Sequence, residues 1–109
     1  MSKQLTFNYD GTDYTLEYTK DSVRTMERNG FVADDLFAKP MSLLPELFAG
    51  AFLAKHRWTK RAKIDEIFDH MTNRAELLAK LVEMYREPME AIMKDPEDSE
   101  GNVAWTASW

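Results

Sequence analysis

The chain has 109 residues, 44% of them hydrophobic and 30% charged, with a formal net charge of −5. That length and balance fit one folded domain and argue against a disordered chain, and so small a core leaves room for a partner to add stability. Cysteine is absent, which excludes disulfides, thiolate metal ligands and a cysteine nucleophile.

The first ten residues, MSKQLTFNYD, contain no apolar run of the kind a signal peptide needs. The longest uncharged apolar stretch, LFAGAFLA from Leu47 to Ala54, is too short to cross a bilayer. These features predict a soluble, unexported protein with no membrane partner. Four of the 19 acidic residues, Asp95, Glu97, Asp98 and Glu100, follow Lys94 in a stretch without Lys or Arg, so the body is close to neutral and the end carries the acidity.

In LTFNYDGTDYTLEY, Leu5, Phe7 and Tyr9 and then Tyr14, Leu16 and Tyr18 alternate with polar residues around Asp10-Gly11. The spacing predicts a β-hairpin over 4–18 with its apolar residues on one face, since Asp-Gly supplies the positive φ of a tight turn. A lone hairpin is marginal in water, so that face needs helices or another chain. Asp21 is a candidate N-cap for a short helix over about 21–29, with Val23 and Met26 on its apolar stripe and Asn29-Gly30 as its stop. FVADDLFAKP reads as an irregular connector whose Phe31, Val32, Leu36 and Phe37 plug the core.

Pro40 and Pro45 mark the entrance to the next helix, expected over about 42–57. Leu44, Leu47, Phe48, Ala51, Phe52 and Leu53 span most of its circumference, which suits the centre of a domain or an interface. Ala49, Gly50 and Ala51 would let another backbone approach, at about 1 kcal/mol for a glycine inside a helix. A third helix over 60–71 carries the stripe Ile64, Ile67, Phe68 and Met71, and Asn73 with Glu76 forms a capping box for a fourth over 73–94. The fourth directs Leu78, Leu81, Val82, Tyr85, Met89 and Ile92 inward. Pro88 cannot donate to the carbonyl four residues back, so a kink or break is expected near Arg86. The expected fold class is mainly α with a small N-terminal β-hairpin (α+β): one domain over 1–94 with about four helices, followed by a flexible acidic tail over 95–109.

His56 and His70 are the only histidines, and neither falls in a metal-ligand spacing, so no metal site and no cofactor is expected. Nucleophile elbows, phosphate-binding loops and dinucleotide fingerprints are missing, and Asp34-Asp35 fits a solvated turn better than a catalytic acid pair. The residues therefore point away from an enzyme. The segment KHRWTKRAK sets Lys55, Arg57, Lys60, Arg61 and Lys63 around Trp58, a pattern that can hold phosphates and stack a base. A solvated helix junction is the first reading of these cations; the second pairs them with the acidic tail of the same or a neighbouring chain or with another protein, Lys60 and Arg61 being the candidates for that electrostatic partner. A small nucleic-acid-binding regulator using 55–63 is the third.

Tyr85, Met89 and Met93 fall at i, i+4 and i+8, a pliable stripe that suits either core filling or varied partner helices. Phe48 and Phe52 are open to the same pair of readings. The closing EGNVAWTASW puts Trp105 and Trp109 in the last five positions. Burying one indole is worth about 4–6 kcal/mol before ordering costs of about 1–2 kcal/mol per backbone residue. Ordering the whole tail could consume that gain, but if only the few residues around the tryptophans dock, local anchoring can be favourable, either on their own core or on another protein, including along a sheet edge.

The order of these pieces, LTFNYDGTDYTLEYT, then MERNGF, then KPMSLLPELFAGAFLAKH, then an acidic linker and EGNVAWTASW, resembles the small tail assembly chaperones of long-tailed phages and prophages over essentially the whole chain. The resemblance implies a non-enzymatic, mainly helical protein that works in the cytoplasm of the bacterial host and is absent from the mature virion. Its expected partners are the tape-measure protein, which it coats and keeps soluble, and the tail-tube protein, which it helps to recruit. It implies the short form of a product that related systems extend by frameshifting. The near-neutral body and apolar surface fit self-association into a homo-oligomer that holds an elongated helical client through many weak contacts.

Overall fold

Asp10 and Gly11 both take positive φ, 52° and 81°, which is the geometry a two-residue hairpin loop requires. The computed structural model of the protein describes residues 3–94, 101 and 103–109. The loop joins β1 (Leu5–Tyr9) to β2 (Thr12–Leu16), antiparallel and in the register Tyr9 to Thr12, Phe7 to Tyr14 and Leu5 to Leu16. The hairpin precedes four α-helices, α1 (Lys20–Arg28), α2 (Pro40–Gly50), α3 (Arg61–His70) and α4 (Arg74–Met93), with a 3-10 turn at Ala33–Asp35. The expected tail falls partly on residues 95–100 and 102, which lie outside the described residues; residues 103–109 are exposed and form no helix or strand.

The apolar face of the hairpin lies on the helices. Leu16 packs in one buried cluster with Leu47, Phe48 and Phe52 from α2 and the turns after it, Ile67 from α3 and Leu81 from α4. Tyr18 is buried beside them and donates its hydroxyl to the Leu47 carbonyl at 2.5 Å. Gly50 of α2 lies directly against the Met26 side chain of α1. A Cβ there would lie 2.4 Å from Met26 Sδ, so the glycine makes room for a side chain rather than for a second backbone.

Several local expectations give way to tertiary demands. The helix expected over 42–57 begins earlier, at Pro40, and stops at Gly50. Beyond it, Ala51, Phe52 and Leu53 donate to carbonyls only three residues back, at 3.1, 3.1 and 3.2 Å. The Ala51 carbonyl, which would continue the helix, accepts the Glu17 N–H at 3.2 Å, and His56 Nε2 accepts the Thr15 N–H at 3.0 Å. The segment after α2 thus serves the outer edge of β2 instead of prolonging the helix.

The break expected near Pro88 does not occur, and α4 runs through it. Pro88 sits on the same buried stripe as Leu77, Leu81, Met84 and Tyr85, and that continuous burial offsets a missing backbone bond worth about 3 kcal/mol. Thr19, not Asp21, caps α1. Its extended backbone lets Thr19 Oγ1 accept from Ser22 N (3.1 Å) while Ser22 Oγ accepts from Thr19 N (2.8 Å). Asn73 adopts φ 51°, so its side chain makes no capping bond and the expected box with Glu76 is not formed. Arg74 instead closes the end of α3, donating to the carbonyls of Asp69 (2.8 Å) and Met71 (3.3 Å).

Candidate interaction surface

Phe48 and Phe52, named from the sequence for core or client contact, are buried, with ring centroids 5.3 Å apart. Phe48 also meets Phe68 at 5.0 Å. Tyr85 is buried between Tyr18 (5.3 Å) and Phe31 (5.6 Å). These three side chains build the core and offer no face to a partner.

The other end of the same stripe behaves differently. The buried side of α4 ends at Pro88, so the final turn overhangs the core. Met89 and Ile92, expected to point inward, are 45% and 65% exposed, and Met93 is 83% exposed. The spacing i, i+4, i+8 is therefore split, one residue in the core and two outside it. Farther along, Val103, Trp105 (81%) and Trp109 are exposed too. In the connector, Phe31 and Leu36 are buried as expected, but Val32 and Phe37 are not. Neighbouring residues of a tight turn point in different directions, so Leu36 occupies the core site and Phe37 is turned to solvent. Among the described residues Phe37, Met41 and Trp58 complete the exposed large apolar set, and no periodic signal in the sequence marks the first two as surface.

The basic segment is engaged mostly from within. Arg61 bridges Glu46 and Asp65, each at 2.9 Å, Lys63 reaches Glu66 (3.3 Å) and Asp10 (3.8 Å), and Lys55 reaches Glu17 (3.9 Å). Lys63 also lies 5.0 Å above the Tyr9 ring, and Arg57 lies 6.0 Å from Trp58. Among the described residues Lys60 forms no ion pair. The hydrogen bond from Tyr9 to Glu66 pushes the phenol up to about 12 and, with Lys63, holds the Glu66 carboxyl below its ordinary value. On the opposite side Lys3 and Glu83 pair at 2.8 Å, raising the amine and lowering the acid, and the Lys3 N–H donates to Glu87. Of the pairs made by the basic segment only Arg61 to Glu46 joins two helices; those to Asp65 and Glu66 stay within α3, and those to Asp10 and Glu17 tie the segment to the hairpin and the residue after β2. Removing the partly exposed Arg61 with Arg61→Ala is expected to cost at most about 1 kcal/mol in denaturant unfolding.

Two grooves flank α2. One of about 420 Å³ is walled by Met26, Phe31, Leu43, Leu53 and Ile64; the other, about 650 Å³, by Met41, Leu44, Pro45, Phe68 and Leu78. Arg61 and Glu46 line both, so their ion pair is the partition between them. Glu46 holds the Arg61 guanidinium more firmly protonated than usual, which makes it a binding or structural group and neither a proton donor nor a base. Among the described residues no cluster of three His, Asp or Glu side chains comes together to ligate a metal. No described helix is long and apolar enough to cross a membrane. What the surface offers is apolar contact: shallow grooves along α2, the overhang of α4 and the indoles beyond it.

No curated protein and no solved structure matches the chain. A family model described as a domain of unknown function, DUF5055, matches residues 1–109, and the chain belongs to that family.

Proposed function

We propose that this chain is a phage or prophage tail assembly chaperone: a non-catalytic protein of the host cytoplasm that coats the tape-measure protein, keeps it soluble and helps recruit tail-tube subunits. One observation carries the reading. The hydrophobic core closes without Phe37, Met41, Trp58, Met89, Ile92, Met93, Val103, Trp105 or Trp109, all of which stay in water. A chain that invests so many large apolar side chains outside a completed core is suited to covering the apolar surface of another chain. Methionines and indoles serve that purpose well, because the first repack against varied shapes and the second bury large areas with few rotatable bonds. The resemblance in the order of sequence blocks supplies the identity of the client.

Co-expression with phage tape-measure and tail-tube proteins, followed by pull-down, tests the proposal. The intact chain is expected to recover the tape-measure protein in soluble form, and a form ending at Asp98 is expected to recover several-fold less. Recovery of neither partner by the intact chain rejects the chaperone function. Retardation of nucleic acid at physiological salt, lost in a Lys60→Ala and Arg61→Ala double variant, would move the function to segment 55–63.

A further inference from the structure

The two edges of the hairpin are not equivalent. Around a two-residue loop the closing pair Tyr9 and Thr12 is hydrogen bonded, so the backbone groups of Thr6 and Asn8 on β1, and of Asp13, Thr15 and Glu17 on the β2 side, point away from the hairpin. The β2 edge is closed by the bonds from Thr15 N–H to His56 and from Glu17 N–H to Ala51. On the β1 edge, the Thr6 and Asn8 N–H groups have no partner among the described residues. Burial follows the same gradient: Tyr14 and Leu16 are buried, while Leu5, Phe7 and Tyr9 are only half-buried. Beside the open edge a cleft of about 340 Å³ lies between β1 and α4, lined by Lys3, Gln4, Leu5, Lys80, Glu83 and Met84.

The exposed segment VAWTASW has the pattern of the strand this edge lacks. Val103, Trp105, Ala107 and Trp109 alternate with Ala104, Thr106 and Ser108, apolar against small or polar, over seven residues. We propose that residues 103–109 of a second copy of this chain add to β1 as a third, antiparallel strand. In the register that matches both patterns, Trp105 lies opposite Phe7 and Thr106 opposite Thr6. The apolar side chains then extend the inner face beyond Tyr9, Phe7 and Leu5, and Trp105 prolongs the row in which Phe7 stacks on Tyr14 at 5.3 Å. Trp109 comes opposite Lys3, at the mouth of the cleft. Ala104 and Thr106 meet the unpaired backbone groups of Asn8 and Thr6.

The geometry favours a neighbour over the same chain. Lys3 meets Glu83 and Glu87 in the second half of α4, whereas Tyr9 meets Glu66 on α3, so Val103 would have to reach the end of β1 remote from the end of α4. The eight residues between Lys94 and Val103 span about 30 Å at full stretch, and the return along most of a helix itself about 30 Å long would draw them nearly taut. A second copy meets no such restraint. Each copy then gives one strand and receives one, which closes as a two-fold dimer where two copies exchange strands and propagates into rings or open spirals where each gives to the next. The inference deepens the self-association within the proposed function but needs no client, so its test uses the purified chain alone.

The natural lack of cysteine permits a clean cross-linking test. Full-length Thr6→Cys and Thr106→Cys chains are mixed, oxidised mildly and compared with a mixture of Thr15→Cys and Thr106→Cys, which probes the closed edge. About tenfold more mixed dimer is expected from the first pair, as strand pairing raises the local thiol concentration. Adding Trp105→Ser to the Thr106→Cys chain is expected to return the yield to the control level. Equal yields at the two edges, or no dimer from either, overturn the proposal. So does a Thr6→Cys, Thr106→Cys double variant that closes only within one chain, independent of dilution.

Discussion

Phe48→Ala is expected to lower the free energy of unfolding by about 3–5 kcal/mol. Phe48 is fully buried on α2, and its ring meets Phe52 and Phe68, so truncation removes contacts to both the segment after α2 and to α3. The void cannot collapse easily, because the hairpin's buried residues close the core from one side and α4 from another. In a domain whose total stability is about 5–15 kcal/mol, a loss of this size leaves a substantial unfolded fraction at physiological temperature. At protein concentrations too low for self-association, Trp109→Ala and Met93→Ala, at exposed positions, are expected to shift unfolding by no more than about 0.5 kcal/mol. Urea denaturation of the three variants checks the contrast. A Phe48→Ala chain as stable as the parent would mean that this helix is not the centre of the core.

Stability is expected to fall on the alkaline side, with Tyr18 as a main cause. Burial holds the Tyr18 phenol well above its ordinary value of 10.0, and the nearby Tyr85 acts in the same direction. Below that ordinary value both folded and unfolded chains keep the proton, and the contribution is fully present. As pH rises above it, the unfolded chain releases the proton while the folded chain retains it. The unfolded state then binds fewer protons, so stability declines by about 1.4 kcal/mol per pH unit for this one group until the folded-state value is reached. Tyr85, also pushed up, first by burial and then by Glu27, steepens the decline. Denaturant midpoints followed from about pH 8 to about pH 11 should show the fall. A Tyr18→Phe chain should be less stable near neutrality by about 1 kcal/mol, because the Leu47 carbonyl loses its donor, yet flatter with pH. An unchanged slope in that variant would place the alkaline sensitivity elsewhere.

The candidate surface was legible in proportion to how local its cause is. Trp105 and Trp109 stood out because indoles in a polar context are conspicuous in the sequence, and both are exposed. The strand-like alternation of the same segment is equally local, but it acquires meaning only beside an open β1 edge. Phe37 and Met41 were invisible as surface residues, since one apolar side chain in a connector looks like another until the fold has room for Leu36 alone. Phe48, Phe52 and Tyr85 were open to two readings for the same reason. An apolar residue on a helix does not specify whether its neighbour is the same chain or another.

Period-two alternation around Asp10-Gly11 determined by itself the hairpin and its shared apolar face, and period-3.6 stripes determined four helical segments, because both follow from steric rules acting over a few residues. Only the tertiary structure decided that α2 ends at Gly50, that Thr19 and not Asp21 caps α1, and that α4 continues through Pro88 while its last turn stays outside the core. Those outcomes depend on which distant groups claim a carbonyl or cover a side chain. The Ala51 carbonyl went to the hairpin, and the core closed at Pro88, leaving Met89, Ile92 and Met93 to face solvent.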